Sequence, residues 1–258
     1  VNNKFKVIFF DLEILVDIER AADVWFGISD WPGRSMKADI NSVICFGWKE
    51  LGKKVQIKNA WDFPGWGKNV NDDKELCKFA YDILKDADII VTQNGKGFDQ
   101  KFLQTRLLIN SLTDEKKTVL PKIEHIDTKQ VAKSNLFLTS NSLKRMAQVF
   151  TKGRKMDSGG QELWNAVRRR DQKAMEKMAK YCKTDVTVLE DIYLALRPLT
   201  KGLDHNLLNQ EHVCSNCGSY ELKSEGFRST LTRTYRRLCC KKCGTWMKVD
   251  AKQKVTRL

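Results

Sequence analysis

No apolar run in the 258 residues approaches the roughly 20 that a bilayer-spanning helix needs. The N-terminal segment also lacks the basic, apolar and small-residue succession of a secretory signal. No internal repeat and no low-complexity tract is present, so the chain reads as an ordinary globular protein. Acidic residues are in short supply, with 32 Asp+Glu against 46 Lys+Arg and a net charge of +14. That deficit makes a polyanion the expected partner and nucleic acid the first choice, a merely solubilising surface being the bland alternative. The imbalance is concentrated: residues 201–258 carry 12 basic and 5 acidic residues, while the first 200 carry 34 and 27. Cysteine is sparse before residue 214, where Cys45, Cys77 and Cys182 stand singly in apolar-periodic segments and read as small core residues. A disulfide framework is therefore not expected, and a reducing, cytoplasmic location is.

With 41% apolar and 30% charged residues, the length allows one sizeable domain and one small one. The stretch Val7-Ile8-Phe9-Phe10-Asp11-Leu12-Glu13-Ile14 has the composition of a buried β-strand but carries two acids. Alternation across a strand puts Asp11 and Glu13 on one face and Leu12 on the other. Two ionised carboxylates facing a core cost several kcal/mol unless paired, and a divalent cation turns that liability into a ligand set. A strand end with both acids in solvent is the competing explanation.

Downstream, residues 16–40 form a long connection holding Trp25, Phe26 and Trp31, and residues 41–61 predict a hairpin about Leu51-Gly52-Lys53. A loop over residues 62–71, with Trp61 and Trp66 beside and within it, precedes a helix that begins at Asp72-Asp73. Residues 87–92 read as a short buried strand. It ends in Gln93-Asn94-Gly95-Lys96-Gly97, which puts Asp99 in the first turn of the next helix. An acid there is also explained by the helix dipole, at roughly 0.3–1 kcal/mol. Residues 122–127 predict another strand, 140–150 a helix with a Ser/Asn cap, and 152–160 a basic loop. A long helix over about 171–197 ends at Pro198, and Tyr181 and Asp185 stand one turn apart at the edge of its apolar stripe. An exposed Tyr–Asp pair without a role would look the same.

The order is β-β-β-α-β-α-β-α-α, which suits an α/β sheet with helices on its faces. Together, D-x-E on a strand, N-G-x-x-F-D at a turn and Y-x-x-x-D on a helix resemble the DEDD superfamily of 3′–5′ exonucleases, which has a ribonuclease H-like fold. The similarity covers roughly residues 5–197, with a weaker echo at Ser142-Leu143-Lys144. It is to the tyrosine-bearing (DEDDy) branch familiar from polymerase proofreading domains, because Lys180 and no histidine stands five residues before Asp185. The resemblance implies a mixed sheet flanked by helices. It also implies two Mg²⁺ or Mn²⁺ ions held by Asp11, Glu13, Asp99 and Asp185, with Tyr181 orienting the attacking water. The implied reaction is hydrolysis of the 3′-terminal phosphodiester to release 5′-mononucleotides. DNA is the favoured polymer and RNA the other. An endonuclease or RNA-trimming enzyme on the same scaffold, or a non-catalytic nucleic-acid-binding adaptor, are the competing functions.

The C-terminal segment holds two C-x-x-C-G knuckles, Cys214-Ser215-Asn216-Cys217-Gly218 and Cys240-Lys241-Lys242-Cys243-Gly244. Four thiolates at such spacing make a tetrahedral Zn²⁺ site, and the glycines permit the tight turn around the metal. A disulfide pair or a redox C-x-x-C is the alternative, and Cys239 competes with Cys240 as ligand, although the spacing favours Cys240. Strands are expected over residues 220–223 and 231–238. The segment resembles a zinc ribbon. Arg228, Arg233, Arg236, Arg237, Lys241 and Lys242 are its candidate phosphate contacts, a protein partner being the other use of such a module. The expected organisation is a nuclease domain over 1–198, a linker over 199–210 and the ribbon over 211–258.

Overall fold

The computed structural model describes residues 6–16, 37–151, 160–200 and 213–250. The connection bearing Trp25, Phe26 and Trp31, nearly all of the basic loop over 152–160 and most of the expected linker lie outside them. The described residues form two compact units, residues 6–193 and the segment from 194 onward. Among them, no helix is long and apolar enough to cross a membrane.

The first unit is built on a five-stranded sheet in the order β3-β2-β1-β4-β5. Its strands are β1 (Val7–Leu15), β2 (Ser42–Glu50), β3 (Gln56–Asn59), β4 (Ile89–Thr92) and β5 (Glu124–Asp127). The β1–β2 and β2–β3 pairs are antiparallel, as the predicted hairpin requires, while β1, β4 and β5 run parallel. β1 is buried along both faces except at Asp11, which is half-buried. Central position explains why its sequence is apolar on consecutive residues rather than alternating.

The two faces of the sheet have different covers. On one, Phe10, Phe46 and Trp48 run in an aromatic series to Phe79, with Phe46 stacked on Trp48 at 5.1 Å and Trp48 edge-on to Phe79 at 5.2 Å. Phe79 belongs to α2 (Lys74–Leu84), which follows the short α1 (Pro64–Lys68). On the other face lies the long helix α7 (Gln172–Leu196), whose Tyr193 meets Phe9 edge-on at 5.2 Å. Glu190 of the same helix pairs with buried Lys49, the register partner of Phe9, and accepts from the Gly52 amide at 2.7 Å. The mixed sheet flanked by helices agrees with the expected ribonuclease H-like architecture.

Between these lie α3 (Asp99–Asn110), α4 (Thr128–Asn135), α5 (Leu143–Phe150) and α6 (Gln161–Arg168). α5 begins at the anticipated cap, the Ser142 hydroxyl accepting from the Arg145 amide. Residues 62–71, expected as a loop, contain α1, which starts at Pro64 and buries Trp66 against Trp61. α4 and α6 were not anticipated. Each buries only two residues, too few for a helical period to emerge from sequence.

The second unit holds a three-stranded antiparallel sheet, β6 (Leu222–Ser229), β7 (Thr234–Cys240) and β8 (Trp246–Asp250). β6 runs farther than the expected 220–223, Leu231 lies in the turn rather than in a strand, and β8 was not foreseen. Its five residues are too few to carry a pattern against the neighbouring knuckle. The core is small: Cys214, Leu222, Leu238, Cys240 and Val249, with Met247 against them.

A buried ion pair ties the first unit together. Asp73, the N-cap residue of α2, accepts from Arg106 Nη2 at 2.8 Å and Nε at 2.9 Å, and from the Val43 amide of β2 at 2.8 Å. Removing the arginine strands a buried carboxylate. Urea denaturation of Arg106→Leu should show a loss of about 3–5 kcal/mol, and a loss within ~1 kcal/mol would mean that water solvates the pair.

Candidate active site

β4 and β5 end beside the middle of β1, which runs on past them, and each of the three parallel strands carries or leads to an acid there. Asp11 and Glu13 lie on β1 beyond the last β4 partner, Phe9. Asp99 opens α3 a turn after β4, and Asp127 closes β5. Ligand sites of open α/β sheets lie at such carboxyl ends.

Asp11 and Glu13 share a face with their register partners Gly47 and Cys45. α7 packs on that face and brings Cys182 to them: one ligand atom from each of Asp11, Glu13 and Cys182 lies within 4.8 Å of the others. The close approach depends on Gly47. A Cβ there would come within 2.8 Å of Cys182 Sγ and 3.0 Å of Val186 Cγ2, so any side chain would push α7 outward. Burial raises the Cys182 thiol well above its ordinary range, and the nearby Cys45, Asp11, Glu13 and Asp185 oppose its ionisation further.

Asp99 is anchored from the opposite side of β1. Its Oδ1 accepts from the Leu12 amide at 3.2 Å, and its carboxyl is 4% exposed. Burial raises its pKa to about 7 despite the amide hydrogen bonds, with Asp127 adding to the rise. Asp185 is buried on α7 and lies close enough to act on Cys182. Tyr181 is buried one turn before it, its ring edge-on to Trp164 at 6.1 Å. The structure therefore draws Asp11 and Glu13 into one cation-sized group. Asp99 and Asp185 fall outside that group but border it through Leu12 and Cys182. The solvent-exposed alternative for the Tyr181–Asp185 pair does not hold, since both side chains are buried.

Sequence reading missed the residue that shapes the Asn94–Asp99 turn. The Asp127 carboxylate accepts from the amides of Asn94 at 2.9 Å and Lys96 at 3.2 Å, while capping α4 through Lys129 at 3.1 Å and Gln130 at 3.3 Å. Gly95 is required in that turn, because an added Cβ would lie 2.2 Å from the Thr92 hydroxyl that accepts its amide. His125 bridges the same region, within 2.7 Å of Thr92 Oγ1 and 2.8 Å of Gln100 Oε1. Burial and Lys96 push its pKa down to about 4, so it is a neutral tie. The only available signal for Asp127 was its place at the end of a strand, before a helix too polar to notice. Phe98 packs against Phe102 at 5.6 Å, as a core residue would.

In the second unit Cys214, Cys217, Cys240 and Cys243 come together, with Cys214–Cys243 and Cys217–Cys240 sulfurs 3.5 and 3.6 Å apart. A tetrahedral site with Zn–S bonds of about 2.3 Å has edges of about 3.8 Å, so the four thiols fit a zinc ion. The two knuckles repeat one turn: Gly218 and Gly244 have φ of 69° and 72°, and their amides donate to the Cys214 and Cys240 carbonyls, each at 2.9 Å. Cys239 is outside the group, its sulfur turned toward the Gly244 carbonyl at 3.8 Å.

The family model described as RNase_H superfamily matches residues 36–197. The chain therefore belongs to the RNase_H superfamily, and that membership supports a nuclease function. The match starts after β1, so Asp11 and Glu13 enter by geometry alone. No curated protein sequence matches the chain. Among solved structures, the family B DNA polymerase from the hyperthermophilic archaeon Pyrobaculum calidifontis shares the fold with a TM-score of 0.51 at 19% identity. The alignment covers 75% of this chain and 26% of the polymerase.

The electrostatics of Asp99 make a stability prediction. A carboxyl whose folded pKa lies near 7 rather than near the unfolded 3.8 stabilises the fold when protonated, and that contribution is lost as pH rises through 7. In metal-free protein, Asp99→Asn should raise Tm relative to wild type, by more at pH 8 than at pH 5. A gap that does not widen with pH would show that Asp99 is solvated.

Proposed function

We propose that the protein is a metal-dependent 3′–5′ exonuclease of the tyrosine-bearing DEDD type, acting on single-stranded 3′ ends with DNA the favoured polymer. The observation that carries this reading is the burial of Glu13, Asp99 and Asp185 near half-buried Asp11, beside the carboxyl ends of β4 and β5. Clustered carboxylates repel a phosphodiester unless cations intervene, so a surface for binding alone gains nothing from them. That argues against the non-catalytic adaptor.

Asp11, Glu13, Asp99 and Asp185 would hold Mg²⁺ or Mn²⁺, whose preference for carboxylate oxygens matches the donor set. When bound, such ions supply positive charge to the attacking water and to the leaving 3′ oxygen. Tyr181, its ring held against Trp164, orients that water through its hydroxyl. Asp127 fixes the turn that delivers Asp99 and does not itself touch substrate. The C-terminal unit is read as a zinc ribbon that assists substrate binding, with one structural Zn²⁺ on Cys214, Cys217, Cys240 and Cys243. The division into two compact units supports a nuclease domain over 1–198 and a ribbon over 211–258.

An end-labelled single-stranded oligonucleotide with Mg²⁺ should yield a ladder from the 3′ end, and Asp11→Ala should abolish it while leaving the fold intact. Internal cuts would favour the endonuclease, and binding without cleavage in Mn²⁺ as well would sink both. Matched DNA and RNA strands in the same assay decide the polymer. Elemental analysis should find one zinc per chain, lost in Cys217→Ser, and a zinc-free but folded C-terminal unit would refute the ribbon.

A further inference from the structure

Register pairing sorts the residues of the second unit onto two faces of its sheet. Leu222 with Cys240, Leu238 with Met247, and Arg236 with both Phe227 and Val249 occupy one face. That face carries the small core, and Arg236 is half-buried there with its guanidinium 5.4 Å over the Phe227 ring. The opposite face has a different composition. One rung holds Lys223, Cys239 and Trp246, the next Arg237 and Lys248, and the third Arg228 and Tyr235, where β8 ends with Asp250.

Trp246 is 53% exposed, although it is the largest side chain of the unit. Arg237 lies over its ring at 4.4 Å, and about half of the Trp246 surface still faces solvent. Arg228 and Lys248 are exposed, and among the described residues no ion pair engages Arg228, Arg237 or Lys248. Lys223 is different, since Glu225 neutralises it at 2.7 Å. The Trp246 and Tyr235 rungs are four residues apart along β7, about 13 Å at strand rise. The Arg237 and Lys248 rung lies between them. Aromatic planes alternating with cations on an open sheet match a strand whose bases are unpaired and whose phosphates are continuous. A duplex hides its base faces and could use only the cations.

We propose that this outward face of the β6-β7-β8 sheet is a stacking platform for single-stranded nucleic acid. Bases stack on Trp246 and Tyr235, and phosphates meet Arg228, Arg237 and Lys248. The proposal rests on the nucleic-acid substrate of the preceding section and identifies the surface that grips it. It also divides the basic residues picked out from sequence: Arg228 and Arg237 lie on the platform, whereas Arg236 packs on the core face.

The test uses the full chain carrying Asp11→Asn, so that no strand is cut, with binding of a labelled poly-dT oligonucleotide followed by anisotropy in the absence of added Mg²⁺. Trp246→Ala should weaken binding roughly tenfold or more, Trp246→Phe should restore most of it, and zinc content should stay at the wild-type level in both. Arg237→Gln should flatten the dependence of log affinity on log salt by about 0.7, the contribution of one phosphate contact on a single strand. A duplex of equal length should bind more weakly and be indifferent to Trp246→Ala. Equal affinity of Trp246→Ala and the parent for the single strand would overturn the platform even if the active chain cuts DNA, and would turn attention to a protein partner for this face. Conversely, Trp246-dependent binding by a chain that never cleaves would leave the platform standing and remove the nuclease.

Discussion

Carboxylates that must stay close together in a low-dielectric interior are the constraint on which the first unit depends. Glu13, Asp99 and Asp185 are all buried, and burial raises the Asp99 carboxyl to about 7, with Asp127 adding to the rise. Backbone amides serve two of the acids in this region: the Leu12 amide donates to Asp99, and four amides donate to Asp127. The buried arginine and lysine of this unit are committed elsewhere, Arg106 to Asp73 and Lys49 to Glu190. Functional sites often hold such locally unfavourable arrangements, supported by a rigid frame.

The second unit solves the opposite problem. A core of five buried residues is too small to hold a three-stranded sheet, and chains of this size fold with staples. The four sulfurs close the ends of the sheet where apolar contacts run out. A sheet stapled at one end can leave its far face without apolar cover, and so free for polar and aromatic side chains.

Much of this was legible in the chain. The D-x-E strand, the N-G-x-x-F-D turn, the Tyr181–Asp185 pair and the two knuckles are short-range patterns, and each is located where it was expected. Cys240 rather than Cys239 joins the sulfur group, as the knuckle spacing favoured. What was illegible depends on partners distant in sequence. α4 and α6 are too polar to announce themselves, and Asp127 matters because residues 31 and 33 positions earlier fold back onto it. The two faces of the ribbon sheet could not be separated before the register and the bulge between Ser224 and Phe227 were known. That bulge is what puts Phe227, rather than Gly226, opposite Arg236.

Gly47 touches neither an ion nor a nucleotide, yet it acts as a gauge. Its missing side chain is what lets Cys182 and Val186 of α7 lie against β2. Metal-binding and catalytic groups tolerate displacements of about half an ångström, less than a methyl group would impose on Cys182 and Val186. Position 47 is thus a remote control on the site. For the proposed metal centre, a substitution there would shift the packing of α7 on β1 while every acid remained in the sequence.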